Sequence, residues 1–284
     1  MPNLKLTFSE HFSGGRFRLL TGAVLLAMIL VLPLATTISP ADGKAVKRAL
    51  LGKGNMKLEP NCGTDFRREC TAEGKITGYQ ALSKTSPGRN FVVPFAGKIV
   101  SWSIKLARPT RKEVKKGNTT YSAQAPFLNS VFGSPAQARI AVLKQVEKKK
   151  KGSPRYKMVR QSPIQVLNPY FGTTVQFALS TPLNVIKNQV VGLTIPTWAP
   201  AMWKPAACNA SSFESPACQQ AEKEYTWRGS RASDKCNIGN NADGSPNEAL
   251  AKSRPQQKID SVKKYGCYYG SNVLLYTATI IGEG

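Results

Sequence analysis

The hydrophobic pattern of this chain changes character once, early. Residues 19–41 carry no charge, and their densest stretch, Ala23-Val24-Leu25-Leu26-Ala27-Met28-Ile29-Leu30-Val31-Leu32, follows Lys5, Arg16 and Arg18. A basic flank ahead of an apolar run has the form of an export signal and predicts an apolar helix there. Pro33 interrupts the run where a cleavable signal ends its core, and Ser39-Pro40-Ala41 sets small residues before Asp42, with Ala35-Thr36-Thr37 as a competing cleavage site. If retained, the segment becomes a signal anchor: its continuous apolar part falls short of the ~20 residues of a full span but can borrow residues 36–40. Either fate leaves residues 42–284 outside the cytoplasm, because the positive flank stays inside.

From residue 90 onward the period is two. In Gly97-Lys98-Ile99-Val100-Ser101-Trp102-Ser103-Ile104-Lys105-Leu106, the side chains of Val100, Trp102, Ile104 and Leu106 fall on one face, and Ile99, Ser101, Ser103 and Lys105 on the other. That alternation predicts a half-buried strand with Trp102 as its core anchor. Residues 138–146 and 156–167 are β-rich and flank Lys148-Lys149-Lys150-Lys151-Gly152-Ser153-Pro154, which reads as a hairpin with a basic tip. Residues 173–179, 190–198 and 271–281 predict further strands, with a short one at 183–186, and Pro and Gly mark nearly every junction. The pattern predicts an all-β fold, an antiparallel β-sandwich over residues 61–284. Residues 42–60, basic and glycine-containing, read as a stalk. Residues 199–270 are polar and too long for an unsupported loop, so they read as a disulfide-pinned excursion with a short helix near 216–225.

The six cysteines, Cys62, Cys70, Cys208, Cys218, Cys236 and Cys267, all lie in the exported part. An even count in an oxidising compartment predicts three disulfides, and short separations favour Cys62–Cys70 and Cys208–Cys218, leaving Cys236–Cys267. A zinc cluster is not expected: no C-x-x-C pair exists, and the single histidine, His11, sits in the leader.

These residues carry a resemblance. The leader, the early cysteine pair, the strand Gly97-Lys98-Ile99-Val100-Ser101-Trp102, the strand Val191-Gly192-Leu193 and the terminal run from Leu274 to Ala278 resemble secreted, jelly-roll-like β-sandwich proteins of high-GC Gram-positive bacteria. The likeness covers residues 90–200 and 265–281, mostly at core positions. It implies fold and location and carries over no activity and no site.

With His11 in the leader, histidine-based triads, general bases and zinc hydrolase sites drop out for the exported part. No Walker-type loop and no Gly-x-Ser-x-Gly elbow occurs. Carboxylate chemistry survives in principle; Glu214, Glu222 and Glu224 form the densest acidic group, beside Lys223, Arg228 and Arg231, and read as solvated charges rather than a glycosidase pair. Asn237, Asn240, Asn241 and Asp243-Gly244 read as turns, since their spacing does not fit a calcium loop. No cofactor and no metal is implied.

The charge is the remaining functional lead. The chain holds 40 Lys and Arg against 16 Asp and Glu, a formal net charge of +24. That excess cannot pair internally and must face solvent. Arg108, Arg111, Lys112, Lys115 and Lys116 are opposed only by Glu113, and the stretch from Lys144 to Arg160, with Lys148, Lys149, Lys150, Lys151 and Arg155 around its tip, holds Glu147 alone. Were both loops at one end of the sandwich, they would form a single anion-attracting rim. The expectation is therefore a non-enzymatic exported protein that adheres through basic loops to acidic envelope polymer, anionic lipid or extracellular nucleic acid, salt-sensitively and without sequence specificity. A carbohydrate-binding module, or less readily a glycosidase, is the alternative, suggested by Trp198, Trp203 and Trp227 near the Cys208–Cys218 loop; a structural surface protein without a specific ligand is the third reading. Contact with a membrane is expected only through an uncleaved leader.

Overall fold

The computed structural model describes residues 45–61, 70–85, 91–121, 123–147, 152–208, 215–236 and 252–282. The predicted leader helix, Cys62, Lys148, Lys149, Lys150, Lys151, Glu214 and the asparagine-rich stretch 237–243 lie outside the described residues, as does the side chain of Lys116. The strands in chain order begin with β1 (Lys47–Leu51), β2 (Glu73–Ser83), β3 (Gly97–Lys105), β4 (Val114–Lys116), β5 (Thr119–Tyr121), β6 (Gln137–Glu147), β7 (Arg155–Gln161) and β8 (Gln165–Val166). They continue with β9 (Thr174–Val185), β10 (Val190–Ala199), β11 (Met202–Trp203), β12 (Tyr225–Gly229), β13 (Val262–Lys264), β14 (Cys267–Gly270), β15 (Val273–Leu274) and β16 (Tyr276–Gly282). Two α-helices, α1 (Gln124–Phe132) and α2 (Pro216–Glu224), complete the longer elements.

The chain is mostly β and its sheets are antiparallel, as the two-residue period predicts. A smaller sheet has the order β1-β16-β3-β9, and a larger one the order β13-β7-β6-β10-β2-β12-β14, with β8 pairing β6 to the side. Ile99, Trp102 and Ile104 of β3 share one hydrophobic core with Ile140, Val142, Leu193 and Ile195 of the larger sheet. Trp102 is fully buried, as its place on the apolar face requires. The alternation around it breaks in one place. The register shifts between Ile99 and Ser101 against β9, and between Thr279 and Ile280 against β16, so Val100 is the extra residue of a bulge. A bulge reverses the facing of what precedes it. Ile99 therefore enters the core and Val100 stays half-exposed, the reverse of the simple alternation.

Three expectations need correction. Residues 42–60 are not a stalk throughout: all five residues of β1 pair with β16, and the following 3-10 turn (Lys53–Lys57) buries Asn55, whose Oδ1 accepts from Ser83 Oγ at 2.7 Å. The partner strand lies at the far end of the sequence, so no local pattern reveals the pairing. The described parts of 199–270 are not all loop: β11 pairs β15 in a small sheet of its own, and β12, β13 and β14 extend the larger sheet at both edges. Finally, α1 interrupts the β pattern; its Ala125, Leu128 and Val131 stripe is buried, and Trp198 Nε1 donates to Asn129 Oδ1 at 2.9 Å. Pro126 falls in the first turn, where its missing N–H leaves no helix bond unmade.

The excursion also links the two edges of the larger sheet, which is curled. β13 pairs β7 at one edge and β14 pairs β12 at the other, with only Tyr265 and Gly266 between them. Tyr265 N donates to Pro154 O and Gly266 N to Arg231 O, so the seam is tied on both sides. The face enclosed by this curl carries Thr77, Tyr79, Thr194, Arg139 and Tyr156, and the chain around Gln256 fills it. Gln256 N donates to Thr77 Oγ1 at 3.0 Å, and Gln256 Nε2 donates to Tyr156 O and Ser261 O. Because this face is covered as well as the opposite one, Ile76, Thr77, Gly78, Tyr79 and Gln80 are all buried in succession.

Cys208–Cys218 and Cys236–Cys267 are disulfides, as expected from their spacing. Cys70 is bonded too. The first pair sits in a satellite core with Ala221, Tyr225, Val273 and Leu275, while the second staples the turn after β12 to β14.

Candidate functional site

The first basic cluster frames a cleft. Residues 107–111 cross from β3 toward α1 and are held at both ends: Ala107 N donates to Pro200 O, and Thr110 exchanges bonds with Gln124 at the start of the helix. Thr110 Oγ1 thereby accepts from a helix N–H that otherwise lacks a partner. Opposite runs the 168–172 turn, anchored where Asn168 Oδ1 accepts from Ala136 N and where Gly172 N donates to Leu106 O and Ala107 O. Between them lies an open cleft of about 570 Å³ lined by Arg108, Thr110, Arg111, Asn168, Pro169 and Phe171.

Each polar and aromatic group here has a definite role. Arg108 lies over the backbone of Gly172, which has a φ of +83° and no Cβ to obstruct the guanidinium. Phe171 is buried against Trp198 and forms the floor, whereas Tyr170, outside the lining, is 37% exposed and meets Phe177 edge-on. Arg111, Lys112 and Lys115 project into solvent on the run toward the β4–β5 hairpin.

Of the second cluster the structure describes Lys144, Arg155, Lys157 and Arg160, and residues 148–151 lie outside the described residues. Asn168 and Ala136 stand at the beginning of β6, whereas Arg155 registers with Glu147 at its end. The strand has eleven residues, roughly 35 Å at about 3.3 Å per residue, so Arg155 stands well away from the Arg108 cleft. At the hairpin base Arg155 registers with Lys264, and Lys157 forms an ion pair with Asp260 at 2.8 Å. Arg155 and Lys157 accordingly neighbour β13.

The tryptophans take structural positions. Trp198 and Trp227 are fully buried, the latter stacked on Tyr269, and Trp203 is half-buried with its edge against Tyr225. They form no exposed aromatic platform. The acids are engaged as well. Glu224 Oε1 accepts from Gln220 Nε2 and from Lys84 Nζ, each at 3.0 Å, and these contacts hold its carboxyl below the usual range. A glycosidase acid needs the opposite shift. Glu59, Glu73 and Asp260 are each matched to a basic side chain: Lys105, Arg231 and Lys157.

Sequence reading did not set Asn168 and Phe171 in one cleft with Arg108, since nothing local links two turns so far apart. It also missed a second gathering of cations, from Arg231 to Lys263, because no window of the sequence holds them together. Among the described residues no helix is long and apolar enough to cross a membrane. The chain matches no protein-family model, no curated protein and no solved structure.

Proposed function

We propose that this chain is an exported jelly-roll protein that binds acidic polymer, with the Arg108–Arg111 cleft as the contact. The strand order supports the jelly-roll reading. Taken along the chain, β1, β2, β3, β6, β7, β9, β10 and β16 divide as first, eighth, third and sixth in the smaller sheet, and second, seventh, fourth and fifth within the larger. That is the order produced by two interlocked Greek keys. Disulfides between distant parts of the chain support export, since such bonds persist in oxidising compartments.

The observation that carries the function is the pairing of Arg108 and Arg111 across a cleft from a turn that offers Asn168 above the floor made by Phe171. Guanidinium forks bind phosphate and carboxylate oxygens in pairs, and an amide and an aromatic floor suit the intervening sugar or polyol. An open cleft accepts a chain passing through it, whereas a closed pocket would demand a chain end. Binding of the protein to a phosphate-bearing wall polymer, followed as salt is raised, tests the reading. Affinity should fall steeply toward about 1 M salt, where the screening length shrinks to about 3 Å. The double variant Arg108→Gln/Arg111→Gln should bind at least about tenfold more weakly. Adhesion that is indifferent to salt and to both substitutions overturns it.

A further inference from the structure

We propose a second anion site, for a compact oxyanion of the phosphate class, in the pocket formed by Arg231, Lys235, Lys252, Ser253, Arg254 and Lys263. The pocket has a volume of about 210 Å³, and its described lining holds five basic side chains and no carboxylate. It shares no residue with the Arg108 cleft and does not depend on the reading given for that cleft.

Its floor is rigid. Arg231 has its donors committed: Nη2 to Glu73 Oε1 at 3.1 Å and Gly74 O at 2.6 Å, Nη1 to Tyr269 Oη at 2.9 Å, and Nε to Ser253 Oγ at 3.2 Å. Ser253 Oγ in turn donates to Lys75 O. Arg231, with four of its five donors engaged, is therefore a fixed part of the wall. The other lining cations come from three places in the chain: Lys235 from the turn after β12, Lys252 and Arg254 from the segment around Gln256, and Lys263 from β13.

These groups are aimed as well as gathered. Arg254 Nη1 donates to Ser253 O at 2.9 Å, which orients its fork, and Lys263 Nζ donates to Arg254 O at 2.6 Å. An ammonium has three donors, and this contact uses one. The turn carrying Lys235 is fastened to the seam by Cys236–Cys267 and by Gly266 N donating to Arg231 O, so its wall is set before any ligand arrives. Burial lowers Lys263 from its ordinary pKa, and burial together with the Arg254 charge lowers Lys75 beside it. The Arg254 contribution at Lys75 is repulsion between cations, which a bound anion would relieve.

The donor arrangement selects the ligand class. The pocket, about 210 Å³, is smaller than the roughly 300 Å³ at which drug-sized sites begin and has room for phosphate or diphosphate. Cations converging from three segments match a tetrahedral anion better than a planar carboxylate, which presents two oxygens in one plane.

Titration calorimetry of the full chain with inorganic phosphate and with pyrophosphate tests the site. One saturable event per chain is expected, weakened about tenfold or more in Lys252→Gln/Arg254→Gln and also reduced in Lys235→Gln. Arg108→Gln/Arg111→Gln should leave it unchanged, so polymer adhesion that survives those substitutions, with phosphate uptake intact, sinks only the reading of the cleft. Displacement of bound pyrophosphate by a phosphate-bearing polymer assigns the site to polymer phosphates, and its absence assigns it to the free anion; both support the proposal. No saturable uptake of either anion overturns it, as does an equal loss in Lys112→Gln/Lys115→Gln, which would reduce the effect to general charge.

Discussion

The hydroxyl of Tyr79 on β2 lies 3.1 Å from that of Tyr156 on β7, although β10 and β6 stand between these strands in the sheet. In a flat sheet three strand spacings amount to about 14 Å. The two rings instead meet edge-on with centroids 5.4 Å apart, and Tyr265 from the seam packs on both. The tyrosine pair is thus a measure of how far the larger sheet curls, and it shows why the excursion is part of the fold: Tyr265 and Gln256 fill the space that curvature creates.

Alkali should test this cluster. Burial holds the phenols of Tyr79, Tyr156, Tyr265 and Tyr276 above their ordinary range and pushes Tyr269 up to about 12. A group whose folded pKa exceeds its unfolded one contributes stability that is fully present below the unfolded value, about 10 for tyrosine, and is lost as pH rises beyond it. Stability to urea should therefore be flat approaching pH 10 and then fall. Phenolate absorbance from these tyrosines should grow only as the protein unfolds. Smooth titration of all the tyrosines near their ordinary pKa, with the fold retained, would contradict the packing.

Glu73 and Arg231 form an ion pair with side-chain exposures of only 17% and 6%. Removing one partner of such a pair strands a buried charge, which costs about 3–5 kcal/mol. Glu73→Ala should reach the lower part of that range, because Gly74 O and Tyr269 Oη still accept from the guanidinium. The double change Glu73→Leu/Arg231→Met should recover part of the loss. Denaturant midpoints of the three proteins measure this directly, and a Glu73→Ala protein as stable as the parent refutes the assignment.

Gly172→Ala probes the cleft. At a φ of +83° a side chain is strained by about 1 kcal/mol, and the added Cβ would stand 2.7 Å from Arg108 Nε. Both stability and polymer binding should decline, the latter because Arg108 must swing away. If melting shifts while adhesion is untouched, Arg108 is not the contact.

The disulfides should differ in weight. On the loop-entropy account, closing the 31-residue separation of Cys236–Cys267 contributes about 4 kcal/mol and the 10-residue separation of Cys208–Cys218 about 3 kcal/mol. Cys236→Ser/Cys267→Ser should be the more destabilising double variant, since it also frees the turn that carries Lys235. Equal or inverted losses in chemical denaturation would show that the seam holds without its staple.

Much of the β architecture was legible locally because those strands have one wet face or a clear hairpin. β6 and β7 announce themselves by β-rich runs around a basic tip, β3 by Trp102 and its alternation, and Cys208–Cys218 by proximity in the chain. β2 was not legible. With both faces covered, Thr77 and Gln80 are as buried as Ile76, and a buried polar residue bonded to a distant carbonyl looks in the sequence like a solvent-facing one. The bulge at Val100 was hidden for a related reason, since an extra residue in one strand is defined only against its partners.

The sequence by itself determined the β class, the two described cysteine pairs and an excess of positive charge too large to neutralise internally, because each depends on composition, period or spacing along the chain. Tertiary structure alone decided where that charge acts. It placed Arg155 at the end of β6 away from Ala136, set Arg108 against the 168–172 turn, and drew Lys235, Lys252, Arg254 and Lys263 from three segments into one pocket. Charges interact over ångströms in space, and only the pairing of distant strands converts a count of lysines and arginines into a place where an anion can sit.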